Sequence, residues 1–193
     1  KSFENRDEQE VAGYALACEK IFEHYQQIPL TENSIKQIHT WLLQYSTKDE
    51  RHRGQYKTLP IRIEAFNEFG KSIGVIFETI SPLETPIRMQ ELIIWTNQAL
   101  EEKTLHPLLV IGLFVGIFLA IHPFQDGNGR LSRLVTTLLM IKMGYQYVPY
   151  SSLESIIEAN KESYYLALQK SQTSWLKNES NWNPWLIFFL RCL

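Results

Sequence analysis

The residues best equipped for chemistry stand together in His122-Pro-Phe-Gln-Asp-Gly-Asn-Gly-Arg130, between a long apolar run and an amphipathic stretch. Gly127 and Gly129 flank Asn128, so the backbone here can adopt conformations closed to other residues and let a ligand approach the main chain. Successive amides that run straight into a helix N-terminus form a pocket for anions, with phosphate the usual guest. Arg130 and Arg133, three apart, fall on one face of that helix's first turn. Cations suit the positive end of a helix dipole poorly, so an anion between the two arginines makes sense of their placement. Asp126 supplies a hard oxygen of the kind Mg²⁺ takes together with substrate phosphates. His122 is the one group in the loop with a near-neutral pKa, which makes it the candidate general base. Pro123 stops the helix directly behind it and so fixes where the imidazole points.

Holding such a loop in place requires a rigid element on each side, and the sequence supplies both. Residues 108–121 are an unbroken apolar run of 14 residues, about 21 Å long as a helix. A bilayer core takes roughly 20 apolar residues, so the run reads as a helix buried at the centre of a domain, without membrane contact. Gly112 and Gly116, four apart, would let another helix come close. After the loop, a helix runs from about Arg130 to Met143 and stops at Gly144. Upstream, Asn5 with Glu8 caps a helix whose apolar residues Val11, Tyr14, Cys18, Ile21 and Tyr25 recur at intervals of three and four. Pro29 breaks that helix, and Thr31 caps the next, with Ile35, Ile38, Leu42 and Tyr45 on one face. Segments 61–66 and 73–79 flank 67–72 and read as a β-hairpin, which must lie against the helices because two strands alone are not stable. Thr85-Pro86 opens a helix to about Leu100, Ser151 with Glu154 forms a capping box for a helix to roughly Ser171, and Asn183-Pro184 starts the last.

Composition narrows the classes of function. A chain of 193 residues is the length of one domain. The 19 Lys and Arg against 21 Asp and Glu leave a net charge of −2, so no strongly basic face is forced on it. That argues against direct nucleic-acid or anionic-membrane binding, which clustered Lys and Arg dominate. Hydrophobic residues at 45% and charged residues at 21% are globular values, which excludes a disordered chain. Cys18 and Cys192 cannot form a disulfide framework and fit a reducing, cytoplasmic compartment. The sequence begins at Lys1 without methionine or signal peptide, and reads as a piece of something longer.

Neither G-x-x-x-x-G-K-[ST] nor G-x-G-x-x-G occurs. The segment from His122 to Arg133 resembles instead the signature of the Fic family, H-P-F-x-[D/E]-G-N-G-R-x-x-R, at all nine specified positions. The similarity extends to Gly54-Gln-Tyr-Lys57, the hairpin before Pro82, the helix with Met89 and Trp95, and Tyr164-Tyr165. His106-Pro107 is an internal control, the same dipeptide without the glycine-rich loop, and is expected to be structural. The resemblance implies an all-α Fic fold, a helical bundle around a buried central helix with a small β-hairpin flap, spanning 1–193. It implies a protein adenylyltransferase that moves AMP from ATP to a Tyr, Thr or Ser hydroxyl of a target protein, with auto-AMPylation. By position, His122 would deprotonate the hydroxyl, Asp126 would hold Mg²⁺, and Gly127, Asn128 and Gly129 would cradle phosphates. Arg130 would orient those phosphates and Arg133 would reach the γ-phosphate. Val75, Ile76 and Phe77 of the flap would lie near the nucleotide, and Tyr164, Tyr165 and Gln172 at its adenosine end. A target protein would dock on the flap, about residues 73–86, by strand addition, and a homodimer is compatible with the family.

Three alternatives stay open: the same site removing AMP or transferring another nucleotide such as UMP, a nucleotide-sensing interaction module, and a toxin with a separate antitoxin chain. Regulation leaves its own mark in the family, an inhibitory glutamate in [S/T]-x-x-x-E-[G/N] that pairs with the second signature arginine. Glu4-Asn5 matches its tail, while Asn5 as a helix cap accounts for the same residues. The expectation is that the inhibitory segment, and any C-terminal winged-helix domain, lie outside these 193 residues, leaving the fragment de-repressed.

Overall fold

The apolar run forms a helix, α4 (Pro107–Ile121), and the other helices are arranged around it. The structure is a computed structural model that describes residues 3, 5–48, 50–66, 72–177 and 179–193, and the side chains of 64–66 and 72–77 lie outside the description. Among the described residues there are seven further helices: α1 (Arg6–His24), α2 (Glu32–Leu42), α3 (Thr85–Glu102), α5 (Asn128–Lys142), α6 (Leu153–Ala159), α7 (Lys161–Leu176) and α8 (Asn183–Arg191). Helix α4 is apolar on every side, and Val110, Ile111, Phe114, Phe118 and Ile121 are all essentially without solvent contact. A helix without a polar face is stable only inside a shell of others, and α3, α5, α7 and α8 supply that shell. Each large side chain so buried contributes about 1.5–3 kcal/mol. No helix among the described residues is long and apolar enough to cross a membrane.

Local chemistry explains where the helices begin. Asn5 accepts the Glu8 amide at 2.8 Å and Thr31 the Ser34 amide at 3.1 Å, as their spacing predicts. His106 caps α4, its Nδ1 accepting the Leu108 amide at 3.3 Å. This is the structural role expected of the control histidine. Gly112 and Gly116 admit α8: a Cβ would stand 2.8 Å from Leu186 at the first and 2.7 Å from Trp182 and Trp185 at the second. Trp185 Nε1 donates to the Gly112 carbonyl at 2.7 Å, so the close approach also satisfies the indole.

Two elements depart from the sequence expectation. The helix foreseen from 151 to 171 is two helices, α6 and α7, parted at Asn160, whose Nδ2 donates to the Ile156 carbonyl at 2.8 Å. Asparagine favours such local bonds over helix continuation. Ser152, not Ser151, caps α6, accepting the Ser155 amide at 3.2 Å, and this frees Glu154 for another partner. Helix α5 also starts at Asn128, two residues earlier than foreseen, so the second half of the loop is already its first turn.

Strands β1 (Arg62–Phe66) and β2 (Ser72–Glu78) pair antiparallel with Arg62 opposite Glu78 and Ile63 opposite Phe77, and register shifts follow Ile63 and Ala65. The connection 67–71 lies outside the described residues. β2 leans on α7, which meets the need for helical support.

Helices α1 and α2 meet at Gly13, where an added Cβ would lie 2.0 Å from the Leu42 carbonyl oxygen. Because the obstacle is backbone, the helices must separate. Gly13→Ala is expected to lower stability by about 3 kcal/mol, at the upper end of overpacking costs, measured by urea denaturation. A change below about 0.5 kcal/mol would contradict this packing.

Candidate active site

His122 follows the last residue of α4 in a left-handed conformation, with φ 53° and ψ 63°. Its amide donates to the Phe118 carbonyl at 2.8 Å, and its Nδ1 lies 3.3 Å from the Leu119 carbonyl. A carbonyl can only accept, so Nδ1 carries the proton and Nε2 is left with a lone pair. Burial pulls the imidazole pKa down to about 4; the Leu119 carbonyl opposes that shift, the Lys57 ammonium adds to it, and Asp126 opposes it. The ring is therefore neutral at physiological pH, the form that takes a proton from a hydroxyl.

The loop after it is closed by Asn128. The buried carboxamide accepts the Phe124 amide at 2.9 Å and donates to the Phe124 carbonyl at 2.7 Å. Its side chain is thus spent on the loop, and only its backbone amide is left to face a ligand. Gly127, with φ 78°, turns the chain into α5, and a side chain there would meet the strain of that region. Asn128, Gly129 and Arg130 form the first turn, where amides have no carbonyl one turn back to accept them. Asp126 Oδ1 takes the Gly127 amide at 2.6 Å.

A cavity of about 340 Å³ opens over this turn, lined by His122, Asp126 to Arg130, Arg133, Tyr164 and Tyr165, with Ile63 at its flap side. The structure thus gathers the signature residues and both tyrosines of α7 around one space. Tyr164 is buried, which pushes its hydroxyl well above the usual tyrosine range, and its ring meets Tyr165 edge-on at 5.2 Å. Gln172 is fully buried and does not line the cavity. The side chains of Val75, Ile76 and Phe77 lie outside the described residues, as does Glu4 of the candidate inhibitory pattern.

Sequence reasoning did not foresee how the charges are partnered. Arg133 makes a two-armed pair with Glu154 of α6, through Nε and, at 2.6 Å, through Nη2. Arg130 Nη1 stands 3.0 Å from Glu10 of α1, yet it is buried and lacks an aligned hydrogen-bond acceptor. Arg6, also of α1, bridges Glu10 at 2.7 Å and Asp126 Oδ2 at 3.0 Å. Glu154 stood in the sequence as a capping residue, and nothing in the sequence singled out Arg6 or Glu10. Their role became visible only when α1, α5 and α6 were placed together.

Lys57, noted in sequence only as part of a shared motif, is also inside. Its Nζ donates to the Ile121 carbonyl and to Thr79 Oγ1, both at 2.8 Å, and its amide donates to the Pro123 carbonyl at 2.8 Å. Burial pulls its pKa down to about 8. One ammonium therefore joins the end of α4, beside His122, to the foot of the hairpin.

Residues 29–140, more than half of the chain, match the model of the Fic/DOC family. The chain is a member of that family. It is 33% identical over 111 residues to the protein adenylyltransferase Fic of Drosophila mojavensis, a match covering 58% of the chain and 20% of that protein. It is 32% identical over 94 residues to the protein adenylyltransferase and cysteine protease IbpA of Histophilus somni, covering 49% of the chain and 2% of that protein. The chain thus spans a fifth or less of the length of these relatives. It superposes over its whole length on 72% of a Fic domain-containing signalling protein from Bacteroides thetaiotaomicron, with a TM-score of 0.74 at 25% identity. The all-α Fic fold expected from the signature is the fold observed.

The depressed pKa of His122 has a direct readout. Ring carbon shifts followed by NMR should show the imidazole neutral at pH 5.5, with a midpoint near 4. Between an unfolded value of about 6.5 and that midpoint only the unfolded chain takes up this proton, so the fold loses stability as pH falls across the window. A midpoint at 6.5 would contradict the environment described.

Proposed function

We propose that this Fic domain is a protein adenylyltransferase that uses ATP. The observation that carries the reading is the position of one unprotonated nitrogen, His122 Nε2, on the same cavity as a helix N-terminus and a buried guanidinium nitrogen short of an acceptor. An anion of several linked phosphates supplies what that nitrogen and the free amides lack. Similarity to protein adenylyltransferases favours an adenine nucleotide as that anion.

In this reading the first turn of α5 receives the phosphates, Arg130 orients them, and Arg133 meets the γ-phosphate after leaving Glu154. The hydroxyl oxygen of a target side chain attacks the α-phosphorus while His122 Nε2 takes the hydroxyl proton. The bond from that phosphorus to the oxygen bridging to the β-phosphate breaks, and pyrophosphate leaves. The protein's part in such a transfer is positioning and charge stabilisation. Tyr164 and Tyr165 bound the adenosine end. The flap carries Val75, Ile76 and Phe77, and an outer edge of its sheet, two-stranded among the described residues, suits an extended segment of the target. AMP on the protein's own hydroxyls is an accompanying product.

Asp126 is the residue that would hold Mg²⁺. Among the described residues no three His, Cys, Asp or Glu side chains converge into a cage, but one carboxylate with substrate phosphates is a sufficient set for this ion. Asp126 Oδ2 pairs with Arg6 at 3.0 Å, and the ion would replace that guanidinium. When bound, the ion would neutralise phosphate charge.

Incubation with α-labelled ATP and Mg²⁺ tests the reading. Label should enter protein with the unaltered chain, and His122→Ala should reduce it by at least about 100-fold, the scale of general-base catalysis. Equal labelling by both would remove His122 from the chemistry. Label from UTP alone, or release of AMP from a modified protein without transfer, would replace the reading by the other nucleotide or the reverse reaction.

A further inference from the structure

Outside the signature, one buried side chain makes contact with both sides of the loop's environment. His39 of α2 has no solvent exposure. Its Nδ1 accepts the Gly54 amide at 3.0 Å, and its Nε2 lies 3.0 Å from the carbonyl oxygen of Asp126. Its ring stacks on Phe124 with 4.0 Å between centroids and 19° between planes. An amide can only donate and a carbonyl can only accept, so the two contacts together select one neutral tautomer, with the proton on Nε2.

The Asp126 carbonyl belongs to the peptide that leads into Gly127, the left-handed residue where the chain turns into α5. Fixing that carbonyl fixes the plane of the Asp126–Gly127 peptide, and with it the direction in which the following amides point. The two are neighbours: a Cβ on Gly127 would stand in ordinary contact with His39 Nε2, at 3.6 Å. Asn128 closes the loop from within, whereas His39 ties it to α2 and the Gly54 turn.

We propose that His39 is a positioning residue for the phosphate-binding turn, holding the Asp126 carbonyl through Nε2–H. The proposal rests on the adenylyltransferase reading for its kinetic consequence only. A bland alternative is that His39 fills core volume against Phe124, in which case a phenyl ring would serve equally well.

Nitrogen-15 NMR of the unaltered protein at neutral pH tests the tautomer without activity. The expected spectrum has a protonated Nε2 and an unprotonated Nδ1, and the opposite tautomer would overturn the proposal. His39→Phe, which keeps the stack, and His39→Gln, which keeps an amide donor, are then compared for binding of a non-hydrolysable ATP analogue and for label transfer. His39→Phe should weaken analogue binding or lower kcat by about 10- to 100-fold, and His39→Gln should recover most of that loss. Kinetic and binding constants for the Phe variant equal to the original, or losses in both variants that track their thermal stability alone, would overturn it. If no chain transfers label, the adenylyltransferase reading fails, while the tautomer and the analogue titration still decide the role of His39.

Discussion

The hydrogen bond from His122 Nδ1 to the Leu119 carbonyl is the contact on which the rest of the site turns. It commits the ring's proton to the interior of α4 and leaves a lone pair on Nε2 of a ring that lines the cavity. That bond exists because α4 ends where it does, in a left-handed residue backed by Pro123, and because α4 cannot shift. Most of the helix is buried, with glycines at the α8 contact that leave no slack. Close-packed interiors resist such shifts, so the hydrophobic core and the direction of one lone pair are the same constraint seen at two scales.

The charges around the turn are organised on a different principle. Arg133, Arg130 and Asp126 each meet an oppositely charged group contributed from outside the loop: Glu154, Glu10 and Arg6. Glu154 and Arg6 are about half-exposed, whereas the two signature arginines are mostly buried. In the proposed reading these pairs would give way to phosphate and metal contacts when the nucleotide binds. Without partners, the arginine beside a helix N-terminus would suffer both desolvation and an adverse dipole. Glu10 of α1 and Glu154 of α6 supply that anionic partner in this structure.

How much of this could be read from the order of residues depends on range. The loop was legible because its parts are adjacent: His122, Asp126, the glycines and Arg130 lie within nine positions, and the flanking helices announce themselves by apolar content and capping residues. Caps at Asn5 and Thr31 are local hydrogen bonds and followed from spacing. The break at Asn160 was missed because a single asparagine chose a local bond inside an otherwise helical pattern. Lys57, His39, Glu10 and Glu154 reach the site from 21 or more residues away, so no spacing rule could mark them. A buried lysine and a buried histidine look in sequence like any surface pair, and only packing distinguishes them.

The central claim is that linked phosphates sit on the first turn of α5 under Arg130. Calorimetric titration with a non-hydrolysable ATP analogue and, separately, with AMP measures it directly. The account predicts that the analogue binds at least about 10-fold more tightly than AMP, and that Arg130→Ala removes most of the difference. Equal affinities for the two ligands, or a preference that survives Arg130→Ala unchanged, would contradict it.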